Sequence, residues 1–262
     1  MNKLFIIKIG GNVLDNPEAL KKFLADFASI KEPKILIHGG GKIATKLGEQ
    51  LGIQSNYING RRITDSQTLD VVTMVYGGLV NKQIVASLQQ LGCNALGLTG
   101  ADGNVIKAVK RPIKDIDYGY VGDIKPDSVN SSLLYFLLKQ NTVPVFAPLT
   151  HADGTMLNTN ADTIASVLAV ALGKHFDVRL IFCFEKKGVL RDVNDPDSVI
   201  RHLPKSSYND LLTKNVFADG ILPKLENAFA AIHAGVKEVL IGEASDLTKN
   251  TGLETEGTLI TS

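Results

Sequence analysis

The chain carries almost no excess charge: 28 Lys and Arg stand against 27 Asp and Glu, a formal +1 over 262 residues. That balance excludes the basic footprint of a nucleic-acid binder and the polybasic face of a membrane-surface protein, so any cationic chemistry must be local. Cysteine is scarce. Cys93 and Cys183 lie far apart, each in an apolar setting. They form neither a disulfide framework nor a thiolate metal site, and read as buried free thiols of a reducing, cytoplasmic compartment. The N-terminus lacks a long apolar run. Leu4-Phe5-Ile6-Ile7-Lys8-Ile9 is too short, and Lys8 interrupts it, so it is neither a signal peptide nor a membrane span. Familiar catalytic signatures are missing as well. No Gly-x-Ser-x-Gly elbow, no Cys/His pair with a local signature and no zinc-spaced His/Cys cluster occurs. Protein-kinase motifs are absent, and the P-loop pattern fails because Gly41-Lys42 is followed by Ile43. No strong internal repeat or low-complexity segment stands out.

What is present is an alternation of strand and helix patterns along the whole length, which predicts an α/β fold with a mainly parallel sheet. The first apolar run reads as a buried strand that ends at Gly10-Gly11. Lys8 inside it is expensive to bury unless an anion meets it, although a lysine that snorkels to the strand's edge is the competing reading. Ile35-Leu36-Ile37 is a second strand, followed by His38-Gly39-Gly40-Gly41 and a helix. Three consecutive glycines cost more chain entropy than a tight turn requires, which favours backbone amides offered to an anion. Asn59-Gly60-Arg61-Arg62 precedes a long helical stretch from Asp65 to about Leu91, with a break or kink expected at Gly77-Gly78. Adjacent arginines are often merely solvated, yet a guanidinium at such a junction also suits a carboxylate clamp. Leu69, Val72 and Val75 with Tyr76 form an apolar stripe on that stretch, expected to be the contact of a homodimer, with internal core as the competing reading.

Val105 to Ile124 reads as peripheral hairpins, plausibly a lid. The prolines of Val143-Pro144-Val145-Phe146-Ala147-Pro148 argue for a strand boundary or bend. Asn160 and Asp162 open a further helix, where capping and the helix dipole alone would explain both. Ser206 to Leu212 is expected to be helical. Lys224 falls just after Pro223 at the start of a helix, where the dipole disfavours a cation, so an anion is expected nearby. A lobe boundary is placed near Gly173-Lys174-His175, giving an N-terminal lobe of residues 1–173 and a C-terminal lobe of residues 174–262. Lysines and glycine cradles without a nucleophile or base are what phosphoryl transfer to an already ionised carboxylate needs.

Six motifs occur together and in order: Lys8-Ile9-Gly10-Gly11, His38-Gly39-Gly40-Gly41, Asn59 to Thr64, Asn81-Lys82, Asn158-Thr159-Asn160-Ala161-Asp162 and Asp219-Gly220-Ile221-Leu222-Pro223-Lys224. The ordered set resembles the amino acid kinase family, in its acetylglutamate kinase branch, over essentially the whole chain. The resemblance implies a three-layer α/β/α sandwich with two lobes. It implies transfer of the ATP γ-phosphoryl group to the side-chain carboxylate of N-acetyl-L-glutamate, giving N-acetyl-L-glutamyl 5-phosphate in arginine biosynthesis. Another N-acylglutamate such as N-succinyl-L-glutamate, or a non-catalytic anion-binding protein of the same fold, are the alternatives.

By motif, Lys8 and Lys224 would flank the transferring phosphoryl and Asp162 would hold both lysines. Gly40, Gly41, Arg62 and Asn158 would bind the acylglutamate. Gly10 and Gly11 would cradle phosphates, and Glu185, Lys187, Gly188, Val189, Leu190 and Gly220 would hold the nucleotide. Mg²⁺ would be held mainly through the phosphates, with no protein metal site. The chain departs from the family where a Ser/Thr-Asp pair is usual, having Phe184-Glu185 followed by two lysines. Its short lead into the first strand resembles the dimeric, arginine-insensitive form, so a homodimer with neither nucleic-acid nor membrane partner is expected.

Overall fold

The computed structural model describes residues 1–192, 194–208 and 222–261. An eight-stranded sheet runs through the centre. Its strands are β1 (Lys3–Lys8), β2 (Lys34–Ile37), β3 (Ala95–Leu98), β4 (Val143–Phe146), β5 (Asp177–Phe184), β6 (His202–Pro204), β7 (Glu238–Glu243) and β8 (Thr258–Thr261). Their order across the sheet is β6-β8-β7-β5-β1-β2-β4-β3. All neighbours are parallel except β7 and β8, which run antiparallel. Strand β1 shows why the sequence reads as a continuous apolar run. Leu4 and Ile6 join the core on one face, while Phe5 and Ile7 join the core on the other. Successive side chains point to opposite faces, and a parallel sheet must bury both.

Helices complete the two outer layers. On one face lie α1 (Pro17–Ser29), α2 (Gly41–Gln50) and the long α3 (Ser66–Gln90). On the other lie α4 (Ser131–Lys139), α5 (Ala161–Leu172) and α6 (Leu222–His233). Their starts follow the expected local chemistry. Asn16 accepts from the Glu18 and Ala19 amides with Pro17 in the first turn, and Asn130 and Asn160 cap α4 and α5 in the same manner. The strands contributed by residues 1–173 occupy one half of the sheet and those from residues 174–262 the other. The halves meet where β1 pairs with β5, from Lys3 opposite Asp177 to Lys8 opposite Phe182.

Four expectations need correction. Gly77-Gly78 does not break α3; the helix widens into a π-helical segment, Thr73–Val80, and continues. The Leu69, Val72, Val75 and Tyr76 stripe packs inside the chain: Val72 and Val75 are fully buried, Tyr76 nearly so, and Leu69 partly. The face that α3 turns to solvent carries Met74 and Leu79 instead. Helix α3 is long and apolar enough to cross a membrane, but its inner face is part of this core. The segment from Val105 to Ile124 does contain a hairpin, Val109–Lys110 with Gly122–Asp123, yet its base is anchored, because Val105, Ile106 and Ala108 are buried. Finally, Pro144 lies in an interior strand. It opposes Leu96 of β3, while pairing to β2 begins only at Val145, so its missing N–H faces no lost ladder bond there. Of the helix expected from Ser206 to Leu212, the part beyond residue 208 lies outside the described residues.

Candidate active site

The C-terminal ends of the central strands open onto one cleft of about 520 Å³. In parallel α/β sheets this is where ligands bind. Lys8 is the last residue of β1 and is buried, with 9% of the residue exposed. Its partner is Asp162 in the first turn of α5, with Lys8 Nζ 2.8 Å from Asp162 Oδ1. Lys224, in the first turn of α6, reaches the other carboxylate oxygen at 3.6 Å and lies over the Phe184 ring. One carboxylate thus sits between two ammonium groups.

Burial alone would raise the Asp162 pKa, but the Lys8 and Lys224 charges outweigh it and hold the group below the ordinary carboxylate range. Lys224 is shifted down, first by burial and then by repulsion from Lys8, against the pull of Asp162. The cluster therefore carries one positive charge more than it neutralises, directed at the cleft. An anion is the missing partner.

The other wall of the cleft is built by turns. Arg62 closes a hairpin, Tyr57–Ile58 with Arg61–Arg62, whose tip Asn59-Gly60 has positive φ at both residues. Asn-Gly is the usual chemistry of such a two-residue turn. The Arg62 guanidinium is buried, donates to the Gly41 carbonyl and the Thr45 hydroxyl at 2.9 Å each, bonds the Ser55 hydroxyl, and lies over the Tyr57 ring. Gly40 and Gly41 open α2, and Gly40 has φ +145° with Tyr76 directly beneath it. A Cβ at Gly40 would come within 2.9 Å of the Tyr76 ring, so only glycine fits. Asn158 ends a second hairpin strand, Thr155–Asn158, and donates to the Thr64 hydroxyl at 3.0 Å. Gly40, Gly41, Arg62, Asn158, Asp162 and Lys224 all line this one cleft, and Lys8 joins them through Asp162.

Gly10 lies beside the Lys8 ammonium, and Gly11 starts the single helical turn Gly11–Leu14. Glu185 lines a separate, smaller cavity with Phe184, Asn12 and Glu243. Lys187 is exposed and paired with Asp197 at 2.7 Å. Val189 is buried and donates its amide to the Thr258 hydroxyl, Leu190 bridges to Val199, and Gly188 abuts Thr258. Gly220 lies outside the described residues. The two cysteines are free and buried, and burial pushes the Cys183 thiol up to about 12 despite nearby Lys8. Neither is poised as a nucleophile.

Several cleft residues lie outside the six motifs quoted above. Tyr57 and Tyr76 flank the hairpin and the glycine turn. Arg111 lines the cleft while paired with Asp123 at 2.6 Å. Asn227 lies three residues beyond Lys224 on α6, hence on the same helical face. That spacing was a usable signal; Arg111 offered none, because it arrives through a non-local hairpin.

The profile of the Amino acid kinase family matches residues 3–243 of the chain. The chain belongs to the amino acid kinase family. It is 58% identical over 251 residues to an acetylglutamate kinase of Cytophaga hutchinsonii, covering 95% of this chain and 94% of that protein. A solved protein of Streptococcus mutans superposes with a TM-score of 0.75 at 30% identity, covering 98% of both chains. Carbamate kinase of Giardia lamblia shares the fold, with a TM-score of 0.72 at 14% identity, covering 100% of this chain and 98% of that one. The three-layer amino acid kinase fold is thus the one described above.

Proposed function

We propose that the chain is an ATP-dependent kinase that phosphorylates the side-chain carboxylate of N-acetyl-L-glutamate in arginine biosynthesis. The observation that carries this reading is the Lys8–Asp162–Lys224 cluster, net positive and open to a cleft lined by Arg62, Asn158 and the glycine turn. Relatives named acetylglutamate kinase, 56–58% identical over 95% of the chain or more, supply the acceptor.

In this reading an oxygen of the substrate carboxylate attacks the γ-phosphorus of ATP. The bond from that phosphorus to the β–γ bridging oxygen breaks, and ADP departs with the electron pair. The carboxylate is already ionised at neutral pH, so no general base is required. Lys8 and Lys224 neutralise the oxygens of the transferring group from two sides. Asp162 keeps the two ammonium groups apart and oriented. Arg62 and Asn158 hold the acylglutamate, with the Gly40 and Gly41 amides directed at an anionic oxygen. Gly10 and Gly11 permit close approach of the phosphates. Glu185, Lys187, Gly188, Val189, Leu190 and Gly220 are assigned to the nucleotide, which gives residues 1–173 the acceptor and residues 174–262 the nucleotide.

Mg²⁺ would accompany the nucleotide, held mainly by phosphate oxygens. Asp162 is engaged by two ammonium groups. A cytoplasmic location accords with two buried free thiols. A homodimer is the proposed assembly.

One observation favours a second reading of the acyl group. Arg61 and Arg111 line the same cleft in addition to Arg62 and Lys224. A further carboxylate, as in N-succinyl-L-glutamate, would find a cation there, although Asp123 already pairs with Arg111. Coupled ADP release with a panel of N-acylglutamates tests both readings. Turnover is expected with the acetyl compound. Preference for the succinyl compound would transfer the assignment to it, and no turnover with any N-acylglutamate would overturn it.

A further inference from the structure

One buried polar chain lies beneath the cleft and has no role in the chemistry above. His38 closes β2 and is wholly buried. Its backbone amide bonds the Phe146 carbonyl, which holds the residue in line with the sheet. Its Nδ1 lies 2.7 Å from the Gly39 carbonyl and its Nε2 lies 3.1 Å from the Asn81 side-chain nitrogen. Asn81 is the residue at which α3 leaves its π-helical segment, and it is 1% exposed in an otherwise apolar stretch. The same amide nitrogen donates to the Val145 carbonyl at 2.9 Å, and its oxygen accepts from the Lys82 ammonium at 3.2 Å. Lys82 also donates to the Gly97 carbonyl.

The donors in this chain have one consistent direction. Lys82 can only donate, so it fixes which end of the Asn81 amide is oxygen. The Asn81 nitrogen must then donate to His38 Nε2, which makes Nε2 the acceptor and leaves the proton on Nδ1. That proton is donated to the Gly39 carbonyl. Burial, with Lys82 nearby, pushes the imidazole down to about 4, against the pull of the Gly39 bond, so the ring stays neutral and single-tautomer at working pH.

A carbonyl held on one side of a trans peptide places the next N–H on the opposite side. Fixing the Gly39 carbonyl therefore fixes the direction of the Gly40 amide, which has no hydrogen-bond partner among the described residues. The other end of the turn is pinned separately, by Arg62 on the Gly41 carbonyl. Glycines have no side chains of their own to hold them, and a three-glycine turn would otherwise sample many conformations.

We propose that Asn81 is a positioning residue for the acceptor: acting through His38, it locks the Gly39–Gly40 peptide so that the Gly40 amide stands ready for the acylglutamate. The π-helical segment is part of the device. It carries Tyr76 under Gly40 and delivers Asn81 to His38 from the same helix. This inference rests on the acylglutamate reading of the cleft.

The test uses Asn81→Asp, which keeps the shape but removes the donor, and compares steady-state constants with the intact enzyme. Loss of a buried hydrogen bond predicts a roughly tenfold or greater rise in KM for N-acetylglutamate, with KM for ATP nearly unchanged. Parallel changes in both constants, or none in either, would overturn the proposal. His38→Asn and His38→Gln give a second arm, read as calorimetric binding of the acylglutamate without nucleotide. An Asn amide nitrogen falls near the Nδ1 position and a Gln nitrogen near Nε2, so the Asn variant should bind the acceptor and the Gln variant should not. Equal losses in the two, tracking only their thermal stability, would reduce His38 to a packing residue and sink the idea. If the unaltered protein turns over no N-acylglutamate, the functional reading fails instead, which keeps the two failures apart.

Discussion

Lys8 and Lys224 come from opposite ends of the chain and converge on one carboxylate, which makes the site's charge a tertiary property. Each ammonium is costly to bury alone and is held because Asp162 stands between them. Removing either should cost charge stabilisation on the order of 3 kcal/mol in the transition state. Lys8→Ala and Lys224→Ala are expected to lower kcat by two orders of magnitude or more, while each still gives a cooperative thermal transition. Turnover within a few-fold of the unaltered enzyme in either purified variant would remove the lysines from the mechanism. The same cluster sets an acid limit on stability. The Asp162 pKa is depressed in the fold, so its contribution is present above the ordinary carboxylate range and is lost as pH falls through the folded value. Asp162→Asn should flatten that acid loss at the expense of stability at neutral pH.

At the scale of elements, what could be read from the sequence was whatever local chemistry decides. Helix starts at Asn16, Asn130 and Asn160 were legible because a side chain bonds a backbone amide two or three residues away. The buried strands were legible because a parallel sheet leaves no polar face. The hairpin carrying Arg62 does have a local signal, since Asn59-Gly60 is the usual two-residue turn, but the charge of the adjacent arginines fits a solvated loop equally well. Asp153-Gly154 makes the same kind of turn before Asn158. The π-helical segment was not legible at all. Glycines in a helix predict a weakness, whereas here the helix widens and sets Tyr76 against Gly40. The Leu69, Val72 and Val75 stripe failed for a related reason: periodicity identifies an apolar face but not what covers it.

For the whole molecule, two consequences follow from one sheet shared by two halves. The first is assembly. With the Val72 stripe internal, exposed apolar residues that the proposed homodimer could cover include Met74 and Leu79 on the outer face of α3 and Leu96 on the edge strand β3. Light scattering should give twice the chain's 28.2 kDa, and a monomer or hexamer would reject the dimer. The second is closure. An acyl phosphate is destroyed by water, so the cleft must shed water during transfer. The hairpin of Val109–Lys110 and Gly122–Asp123 has an anchored base but exposed outer residues, with Val109 and Ile113 both more than two-thirds open to solvent. Its Arg111 reaches the cleft wall, so in the proposed closure a bound acceptor would touch the hairpin directly. With acylglutamate and an inert ATP analogue both bound, hydrogen exchange should slow at the hairpin and at the His38 to Gly41 turn. Core strands β1 and β5 should change little, because their amides are already protected by pairing on both sides. Acylglutamate alone should protect the hairpin in part, since Arg111 is on the acceptor side of the cleft. If the hairpin exchanges equally in the free and doubly liganded protein, it is a fixed wall, and the water must be excluded by rotation of residues 174–262 about the β1–β5 seam.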